Sequence, residues 1–221
     1  MKVIVFGASG MVGQGALREC LRDPQVSEVL SIGRRPLAQS HAKLRQLTLP
    51  DLRDLSALEP QLAGYDACFF CLGTSSFGLS EAEYRAVTYD LTLAAARPLA
   101  ALNPAMTFIY VSGLGTDSSE RGRSMWARVK GATENALLAL PFHAVMFRPG
   151  AILPLHGIRS KTRVYDLLYR LFKPLWLGAA RLFPNQVTTT ERLGLAMLAV
   201  ARRETALRVI EPAQINQLAT R

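Results

Sequence analysis

The sequence is poor in the residues that build disulfide frameworks and metal sites. It contains three cysteines and three histidines in 221 residues. Cys68 and Cys71 are spaced like a redox pair, but the apolar run around them is typical of a buried strand. Residues three apart on a strand point to opposite faces, so we expect small core residues and no disulfide. The isolated histidines complete no ligand cluster, and no metal site is predicted.

Long hydrophobic runs and targeting signals are also missing. No stretch of about 18 uninterrupted apolar residues occurs, so no membrane-spanning helix is expected. The first predicted strand begins at Lys2, which leaves no room for a signal peptide. The compartment expected from these absences is the cytoplasm.

Acidic residues are in the minority, with 17 Asp and Glu against 26 Lys and Arg, a net charge of +9. The basic residues are scattered and form no stripe, and no nucleic-acid recognition motif accompanies them. A basic surface does favour anionic small molecules such as phosphorylated cofactors. We therefore expect a small-molecule substrate and no nucleic-acid partner.

Strand and helix patterns alternate along the first two thirds of the chain. Strands are predicted at about 2–6, 28–32, 44–48, 66–71, 106–112 and 142–147, and helices at about 11–22, 54–62, 80–100, 124–138 and 190–202. Capping-box pairs, Ser80 with Glu83 and Thr188 with Glu191, mark two helix starts. The alternation predicts an α/β fold with a doubly wound parallel sheet and helices on both faces.

The alternation is lost after Pro149-Gly150. We predict one domain over 1–221, in which residues 151–221 contain a small substrate-side lobe. Apolar residues at helical spacing from Val164 to Phe172 predict a helix there. Packing over the active site is the favoured interpretation, and a membrane-surface or partner helix is the alternative. The helices at 80–100 and 124–138 offer a surface for a homodimer.

The most informative segment runs from Val3 to Cys20. An apolar strand pattern ends at Gly7, Gly10 and Gly13 follow, and an amphipathic helix begins. In this order the glycines permit a tight turn, close approach of the backbone to a pyrophosphate, and packing of helix on strand. Free N–H groups and the positive end of the helix dipole would meet the phosphate oxygens. The segment predicts a dinucleotide site.

The end of the second strand distinguishes between the two nicotinamide cofactors. NAD sites place a carboxylate there, about 20 residues beyond the glycines, to bind the ribose 2′-hydroxyl. This chain has Arg34 and Arg35 instead. Two guanidinium groups can bind a 2′-phosphate and stack on adenine. NADP is therefore favoured over NAD. The alternative is that Arg34 and Arg35 form a solvated pair in a loop.

Five motifs in order resemble the short-chain dehydrogenase/reductase superfamily, in its atypical NAD(P)-binding branch. They are GASGMVG at 7–13, GRR at 33–35, CLGT at 71–74, YVSGLGTD at 110–117 and FRPG at 147–150. The sequence is most similar to the group around the Tat-interacting-protein oxidoreductase and the NmrA-like proteins. The resemblance covers residues 1–150 well and the remainder loosely, and it implies a Rossmann-type fold.

The resemblance also implies roles for individual residues. Those expected to contact the cofactor run from the pyrophosphate loop to the nicotinamide: Gly7, Ser9, Gly10, Met11, Val12, Gly13, Arg34, Arg35, Asp51, Leu52, Leu72, Gly73, Thr74, Ser112, Lys130 and Pro149. Arg34 and Arg35 would hold the 2′-phosphate, and Lys130 would bind the nicotinamide ribose. Ser112 and Lys130 are also the predicted catalytic residues.

The sequence departs from the family at the catalytic centre. These reductases carry Tyr-x-x-x-Lys, in which the lysine favours the tyrosinate and eases proton transfer. Here Trp126 stands four residues before Lys130, and an indole N–H has no accessible acid form. Gly113 occupies a slot where the family often has a second serine. Tyr84, Tyr165, Tyr169 or a water remain as replacement acids.

Three functions stay open at this point. The first is an NADP-dependent oxidoreductase with a non-standard proton relay, acting on a small carbonyl or hydroxyl compound. The second is a non-catalytic NADP-binding redox sensor or partner-binding module. The third is an epimerase or dehydratase, which would need a general acid or base that the sequence does not reveal.

Overall fold

A computed structural model describes residues 1–158, 186–203 and 205–220. Its main feature is a seven-stranded sheet with the order β3-β2-β1-β4-β5-β6-β9, parallel throughout. The strands are β1 (Lys2–Phe6), β2 (Glu28–Gly33), β3 (Leu44–Thr48), β4 (Ala67–Phe70), β5 (Thr107–Val111), β6 (His143–Phe147) and β9 (Val209–Ile210). The strand order reverses between β1 and β4, which creates a crevice at their carboxyl ends.

Helices pack on both faces of the sheet. The described helices are α1 (Met11–Arg22), α2 (Glu81–Arg85), α3 (Leu91–Leu102), α4 (Met125–Leu138), α5 (Thr190–Ala201) and α6 (Pro212–Leu218). A 3₁₀-helix spans Ser56–Gln61, and a π-helical turn, Ala86–Asp90, joins α2 to α3. The predicted doubly wound parallel sheet with helices on both faces is confirmed.

Alternation along the central strands divides the core into two halves. Ile4 and Phe6 of β1 belong to the core under α3 and α4, whereas Val3 and Val5 belong to the core under α1, α5 and α6. All four side chains are fully buried, as expected for strands covered on both faces. Cys68 and Cys71 pack into opposite halves and remain free thiols, as predicted.

The contact between α1 and α5 depends on two glycines. A Cβ at Gly15 would lie 2.5 Å from the carbonyl oxygen of Thr190, and one at Gly194 would lie 2.8 Å from Cγ of Glu19. Neither position has room for a side chain, so the helix backbones approach closely. This contact fixes α1, and with it the glycine loop at its start, against the sheet.

Two predicted helices have a different form in the structure. The helix expected at 80–100 is interrupted by the π-helical turn, because apolar periodicity does not reveal an extra residue in one turn. The helix expected at 54–62 is a 3₁₀-helix over Ser56–Gln61, with Pro60 inside it. The Ser80–Glu83 capping box is confirmed, with both of its hydrogen bonds present.

The chain beyond Pro149 contains elements that the sequence did not predict. β7 (Ala151–Leu153) and β8 (Val187–Thr189) form a second, two-stranded parallel sheet. Asn216 of α6 holds β8 by accepting from the Thr188 hydroxyl at 2.8 Å and donating to the Val187 carbonyl at 2.9 Å.

The cap predicted for the late helix is wrong by one residue. Thr189, rather than Thr188, is the N-cap of α5, and its hydroxyl accepts from the N–H of Arg192 at 3.0 Å. Thr188 is buried and uses its hydroxyl on Asn216. The amphipathic segment from Val164 to Phe172 lies outside the described residues.

Candidate cofactor and active site

A cleft lies at the carboxyl ends of β1, β2 and β4. Its volume is about 770 Å³. Residues 7–10 follow β1, residues 31–37 comprise the end of β2 and the loop after it, and residues 71–74 follow β4, while Pro50 and Leu52 close one side. The cleft therefore occupies the crevice where the strand order reverses, the place where open parallel sheets bind ligands.

The glycine loop has the tight geometry that its sequence predicts. Gly7 has a φ of +77°, and a Cβ there would lie 2.8 Å from the Cys71 carbonyl carbon. A Cβ on Gly13 would lie 2.1 Å from the Gly7 carbonyl oxygen. The N–H of Gly10 donates to that same oxygen at 2.8 Å. Gly7 and Gly13 are thus required by packing, whereas Gly10 faces the cleft.

The N-terminus of α1 is open to this cleft. Gly10 is the N-cap residue, and no side chain caps the helix. The first N–H groups of a helix have no intrahelical acceptor, and together with the helix dipole they attract anions. Gly10 also lines the cleft. Among the described residues, no side-chain hydrogen bond caps this end of the helix, so the loop is suited to a negatively charged group.

Arg34 and Arg35 lie at the cleft where β2 ends. Both are exposed, and among the described residues neither forms an ion pair. Leu52, by contrast, is buried beneath the cleft. Two guanidinium groups beside an apolar wall suit a negatively charged ligand.

Asp51, which was predicted to border the adenine, is not a lining residue of the cleft. Its carboxylate is exposed and binds the Arg53 guanidinium, with Nη2 to Oδ2 at 2.8 Å and Nε to Oδ1 at 3.0 Å. The hydrogen bonds from Arg53 hold the pKa of Asp51 below its ordinary value. Its partner in the structure is therefore Arg53.

Ser112 uses its hydroxyl inside the protein. The residue follows β5 and is buried. Its hydroxyl donates to Oε1 of Glu134 at 2.5 Å, and its Oγ also lies 3.1 Å from the Phe147 carbonyl. In this arrangement the hydroxyl points into the core rather than toward the cleft. Gly113, in the neighbouring slot, has no hydroxyl to take its place.

Lys130 lies beside the end of β5. Its Nζ donates to the Ser112 carbonyl at 2.6 Å and lies 3.5 Å from the Val111 carbonyl and 5.8 Å from the centre of the Tyr110 ring. Burial lowers the pKa of this amine to about 8, while the nearby Glu134 carboxylate opposes that decrease. Lys130 therefore changes charge near physiological pH.

Trp126 lies one helical turn before Lys130, against the loop that follows β5. A Cβ on Gly113 would be 4.0 Å from Cζ3 of the indole, and a Cβ on Gly115 would be 3.7 Å from its Cη2. The ring is therefore packed over the glycines of this loop. It provides an apolar surface and one N–H donor where the family has a phenol.

Four of the remaining predicted contacts are not among the residues that line the cleft. Met11, Val12 and Gly13 form the first turn of α1, and Pro149 is buried with its carbonyl accepting from the N–H of Leu114 at 2.9 Å. Leu72, Gly73, Thr74, Gly7, Ser9 and Gly10 all line the cleft. The structure thus brings the glycine loop, the arginines and the segment after β4 together. Ser112 and Pro149 follow the neighbouring strands β5 and β6, and the Lys130 amine reaches Ser112 from α4.

Of the alternative proton donors, Tyr84 is a core residue. It is 2% exposed, and burial raises the pKa of its phenol. Tyr165 and Tyr169 lie outside the described residues.

Sequence patterns alone did not indicate two residues that lie next to Ser112, namely Glu134 and Arg148. Glu134 is 1% exposed in α4, and Arg148 at the end of β6 forms an ion pair with it. Glu134 stands four residues after Lys130, on the same helix face, and Arg148 belongs to the FRPG motif. Both positions could therefore have been recognised in the sequence as close to the site. Nothing in the sequence showed that a charge would be buried at position 134.

Over residues 1–158, 186–203 and 205–220, no three His, Cys, Asp or Glu side chains form a group that could hold a metal ion. No helix within these ranges is long and apolar enough to cross a membrane.

The fold matches solved structures of nucleotide-binding enzymes over nearly the whole chain. An oxidoreductase of the short-chain dehydrogenase/reductase family from Burkholderia thailandensis aligns with a TM-score of 0.68 and 16% identity, covering 97% of this chain and 92% of that one. MoeE5 in complex with UDP-glucuronic acid and NAD aligns with a TM-score of 0.71 and 18% identity, covering 95% and 75%. The fold is the Rossmann-type α/β fold that these structures share.

Sequence relatives narrow this class to a family. Protein HTATIP2 of Rattus norvegicus is 32% identical over 174 residues, 77% of this chain and 69% of that protein. Protein fmp52, mitochondrial, of Emericella nidulans is 30% identical over 178 residues, 77% of this chain and 73% of that protein. No protein-family model matches. The chain belongs to the HTATIP2/FMP52 family of NmrA-like atypical short-chain dehydrogenases/reductases.

Proposed function

We propose that this chain is an NADP-dependent oxidoreductase that transfers hydride to or from a small carbonyl or hydroxyl compound. The observation that carries the cofactor assignment is the cleft itself. In it a helix N-terminus and two arginines face the same space, and no described side chain caps the helix or pairs with the arginines. The first suits a pyrophosphate, and the second suits a 2′-phosphate. No carboxylate stands at the end of β2 to favour the unphosphorylated ribose of NAD.

The cleft residues divide the work of holding this cofactor. The loop from Gly7 to Gly10 would hold the pyrophosphate, Arg34 and Arg35 the 2′-phosphate, and the segment 72–74 would pass beneath the adenosine ribose. Lys130 would bind the nicotinamide ribose. When bound, the cofactor supplies the hydride, and the protein orients it and moves the proton.

The proton relay of this proposal does not use residue 126, because indole cannot exchange a proton at neutral pH. Nor does it use the Ser112 hydroxyl, which is committed to Glu134. Lys130 is the group that remains at the family's catalytic positions, and its pKa of about 8 leaves both of its charge states accessible. Proton exchange then runs through Lys130 or an ordered water.

Titration and turnover together test the proposal. NADPH, NADP, NADH and NAD are titrated by fluorescence, and NADPH consumption is then measured with a panel of small aldehydes, ketones and quinones. The proposal expects NADPH to bind more tightly than NADH and at least one carbonyl compound to be reduced. Tighter binding of NADH, or binding of neither, would overturn the cofactor assignment.

A second candidate function is a non-catalytic NADP-binding redox sensor or partner-binding module. Two observations favour it: Trp126 replaces the proton-donating tyrosine, and the Ser112 hydroxyl faces the core. Tight NADPH binding without turnover in the wild type, with turnover appearing in Trp126→Tyr, would support the sensor and contradict the oxidoreductase. Turnover by the wild type would contradict the sensor.

Partners and compartment belong to the same proposal. We assign a small-molecule substrate and no nucleic-acid partner. The helices at 80–100 and 124–138 offer a homodimer surface, and the assigned compartment is the cytoplasm. The FMP52 relatives are named as mitochondrial proteins, so fractionation of cells expressing the tagged chain decides between the two compartments. Size-exclusion chromatography with light scattering measures the oligomeric state.

A further inference from the structure

A buried ion pair connects α4 with the end of β6. Oε2 of Glu134 binds Nη2 of Arg148, and Oε1 accepts from Nε at 3.1 Å. The Glu134 side chain is 1% exposed and that of Arg148 is 14% exposed. Two charges taken out of water are costly unless their geometry and hydrogen bonds are nearly complete. The remaining contacts of the pair are therefore informative.

Those contacts extend the pair to three more elements. Nη2 of Arg148 donates to the Ser118 hydroxyl at 2.6 Å, and its Nη1 lies 3.5 Å from Oε1 of Glu211, the residue before α6. Oε1 of Glu134 also accepts from the Ser112 hydroxyl at 2.5 Å. The pair thus ties the ends of β5 and β6 to α4 and to the chain before α6.

Ser112 carries this connection to Lys130. Its hydroxyl donates to Glu134, and its carbonyl accepts from Nζ of Lys130 at 2.6 Å. The hydroxyl and the carbonyl of Ser112 are therefore held by Glu134 and Lys130, which lie one turn apart on α4. Movement of Glu134 would displace Ser112, and the carbonyl that holds the Lys130 amine would move with it.

We propose that Glu134 and Arg148 are positioning residues for Lys130, acting through Ser112. The buried ion pair holds Ser112 in place, and the Ser112 carbonyl holds the lysine amine at the end of β5. This inference depends on the proposed function for its consequence, since Lys130 is the residue assigned to the nicotinamide ribose. It reassigns Ser112 from the catalytic to the positioning residues.

The groups that face Lys130 also define an electrostatic effect. From its own helix Glu134 contributes a negative charge, and from β5 come the Val111 and Ser112 carbonyls and the face of the Tyr110 ring. Burial lowers the pKa of the amine, and Glu134 raises it. Removing the Glu134 charge should therefore lower the pKa of Lys130 further.

The first experiment measures that pKa without any cofactor. The sequence has five lysines, so protein labelled with ¹³C at lysine Cε gives five signals to titrate by NMR, and Lys130→Arg identifies the one that belongs to Lys130. We expect a wild-type midpoint near 8. In Glu134→Gln it should fall by about one pH unit, the size expected for a charge one helical turn away.

Two companion variants separate charge from packing. Arg148→Met removes the cation that holds the Glu134 carboxylate against the Ser112 hydroxyl, so the Lys130 midpoint should depart from that of the wild type. Arg148→Lys restores a cation and should bring the midpoint most of the way back. Glu81→Gln is the matched control, because Glu81 pairs with Arg128 of the same helix at 2.6 Å. An unchanged midpoint in Glu134→Gln, or an equal fall in Glu81→Gln, would overturn the proposal.

The second experiment measures the dissociation constant of NADPH between pH 6 and pH 9. If Glu134→Gln lowers the Lys130 midpoint by about one unit, the protonated fraction at pH 7.5 falls from about 0.8 to about 0.2 and Kd rises about threefold. At pH 6 the two proteins should differ little. Equal affinity at all pH values would overturn the link to the cofactor. Absence of NADPH binding by the wild type would instead contradict the proposed function, while the NMR titration would still report on the positioning network.

Discussion

The indole ring of Trp126 covers Gly115, with Cη2 placed 3.7 Å from where a Cβ on Gly115 would lie. Gly115 itself has a φ of +86°, a conformation that side-chain-bearing residues rarely adopt. The loop after β5 is therefore a flat, glycine-rich surface onto which a large ring packs. The change from tyrosine to tryptophan and the absence of a second serine at Gly113 are two parts of one local arrangement.

We expect the double variant Gly113→Ser/Trp126→Tyr to gain carbonyl-reducing activity. A Cβ on Gly113 would meet nothing closer than 4.0 Å, so a serine fits there. A tyrosine at 126 would lie one turn from Lys130, where the ammonium group favours the phenolate. Because a general acid typically contributes about 10²–10⁴-fold, NADPH consumption should rise at least about tenfold over the wild type.

Trp126→Phe is the control for this gain, since it makes the same reduction in ring size without adding a hydroxyl. A rise in Trp126→Phe equal to that in the double variant would show that space, rather than the acid, limits turnover. No rise in either protein would mean that the loop after β5 does not contact the substrate.

Arg34→Ala and Arg35→Ala should each weaken NADPH binding and leave NADH binding nearly unchanged. A hydrogen bond to a charged group is worth about 1.5–3 kcal/mol, so each loss should raise the NADPH Kd about tenfold or more. The preference for NADPH should also decrease at high salt. Arg53→Ala is the control, because Arg53 is equally exposed but is already paired with Asp51. A uniform loss of NADPH and NADH affinity would show that the arginines do not read the 2′-phosphate.

Substitutions at Gly10 and Gly13 should have different effects, the first on NADPH binding and the second on the stability of the fold. In Gly10→Val, a side chain at the cleft, whose Cβ lies 3.3 Å from the Gly7 carbonyl, should abolish NADPH binding with little change in Tm. In Gly13→Ala, the Cβ would lie 2.1 Å from that carbonyl, so the fold must shift. Such overpacking costs about 1–3 kcal/mol and should lower Tm by about 3–10 °C. Full NADPH binding by Gly10→Val would remove the pyrophosphate assignment.

The sequence predicts well those elements whose structure is determined by residues close together in the chain. The glycine loop, the Ser80–Glu83 cap and the six strands up to Phe147 depend on turn chemistry and apolar runs that are continuous in the chain. The short strands β7, β8 and β9 have two or three residues each and exist through pairing with distant partners. A run of that length carries no periodic signal.

The candidate site shows the same division. The cleft residues come from loops directly after strands, so a parallel sheet brings them together once the strands are known. The orientation of Ser112 depends on Glu134, which lies 22 residues further along the chain. No local pattern distinguishes a hydroxyl that faces a cleft from one that faces a buried carboxylate. The same holds for Asp51, whose partner Arg53 became evident only in the structure.

Lys130→Met should stabilise the protein at neutral pH, by an amount that decreases as the pH rises. Burial lowers the pKa of Lys130 to about 8 in the folded chain, against an ordinary value of 10.5. Below pH 8 both states carry the proton, and the folded state bears the cost of a charge that is partly withdrawn from water. Between pH 8 and 10.5 the unfolded chain binds more protons than the folded one, so the wild type gains stability with pH. Methionine has no charge and avoids this cost.

Urea unfolding at pH 7 and at pH 10 measures the difference. We expect Lys130→Met to exceed the wild type by about 1–3 kcal/mol at pH 7 and by clearly less at pH 10. Lys43→Met is the control, because Lys43 binds the Asp23 carbonyl at 2.7 Å in another part of the chain. The Lys130→Met protein should also bind NADPH less well. A residue that lowers stability is expected to be kept where it is needed for function, here for binding the nicotinamide ribose. A destabilised variant with no pH dependence would show that the lysine amine is not withdrawn from water.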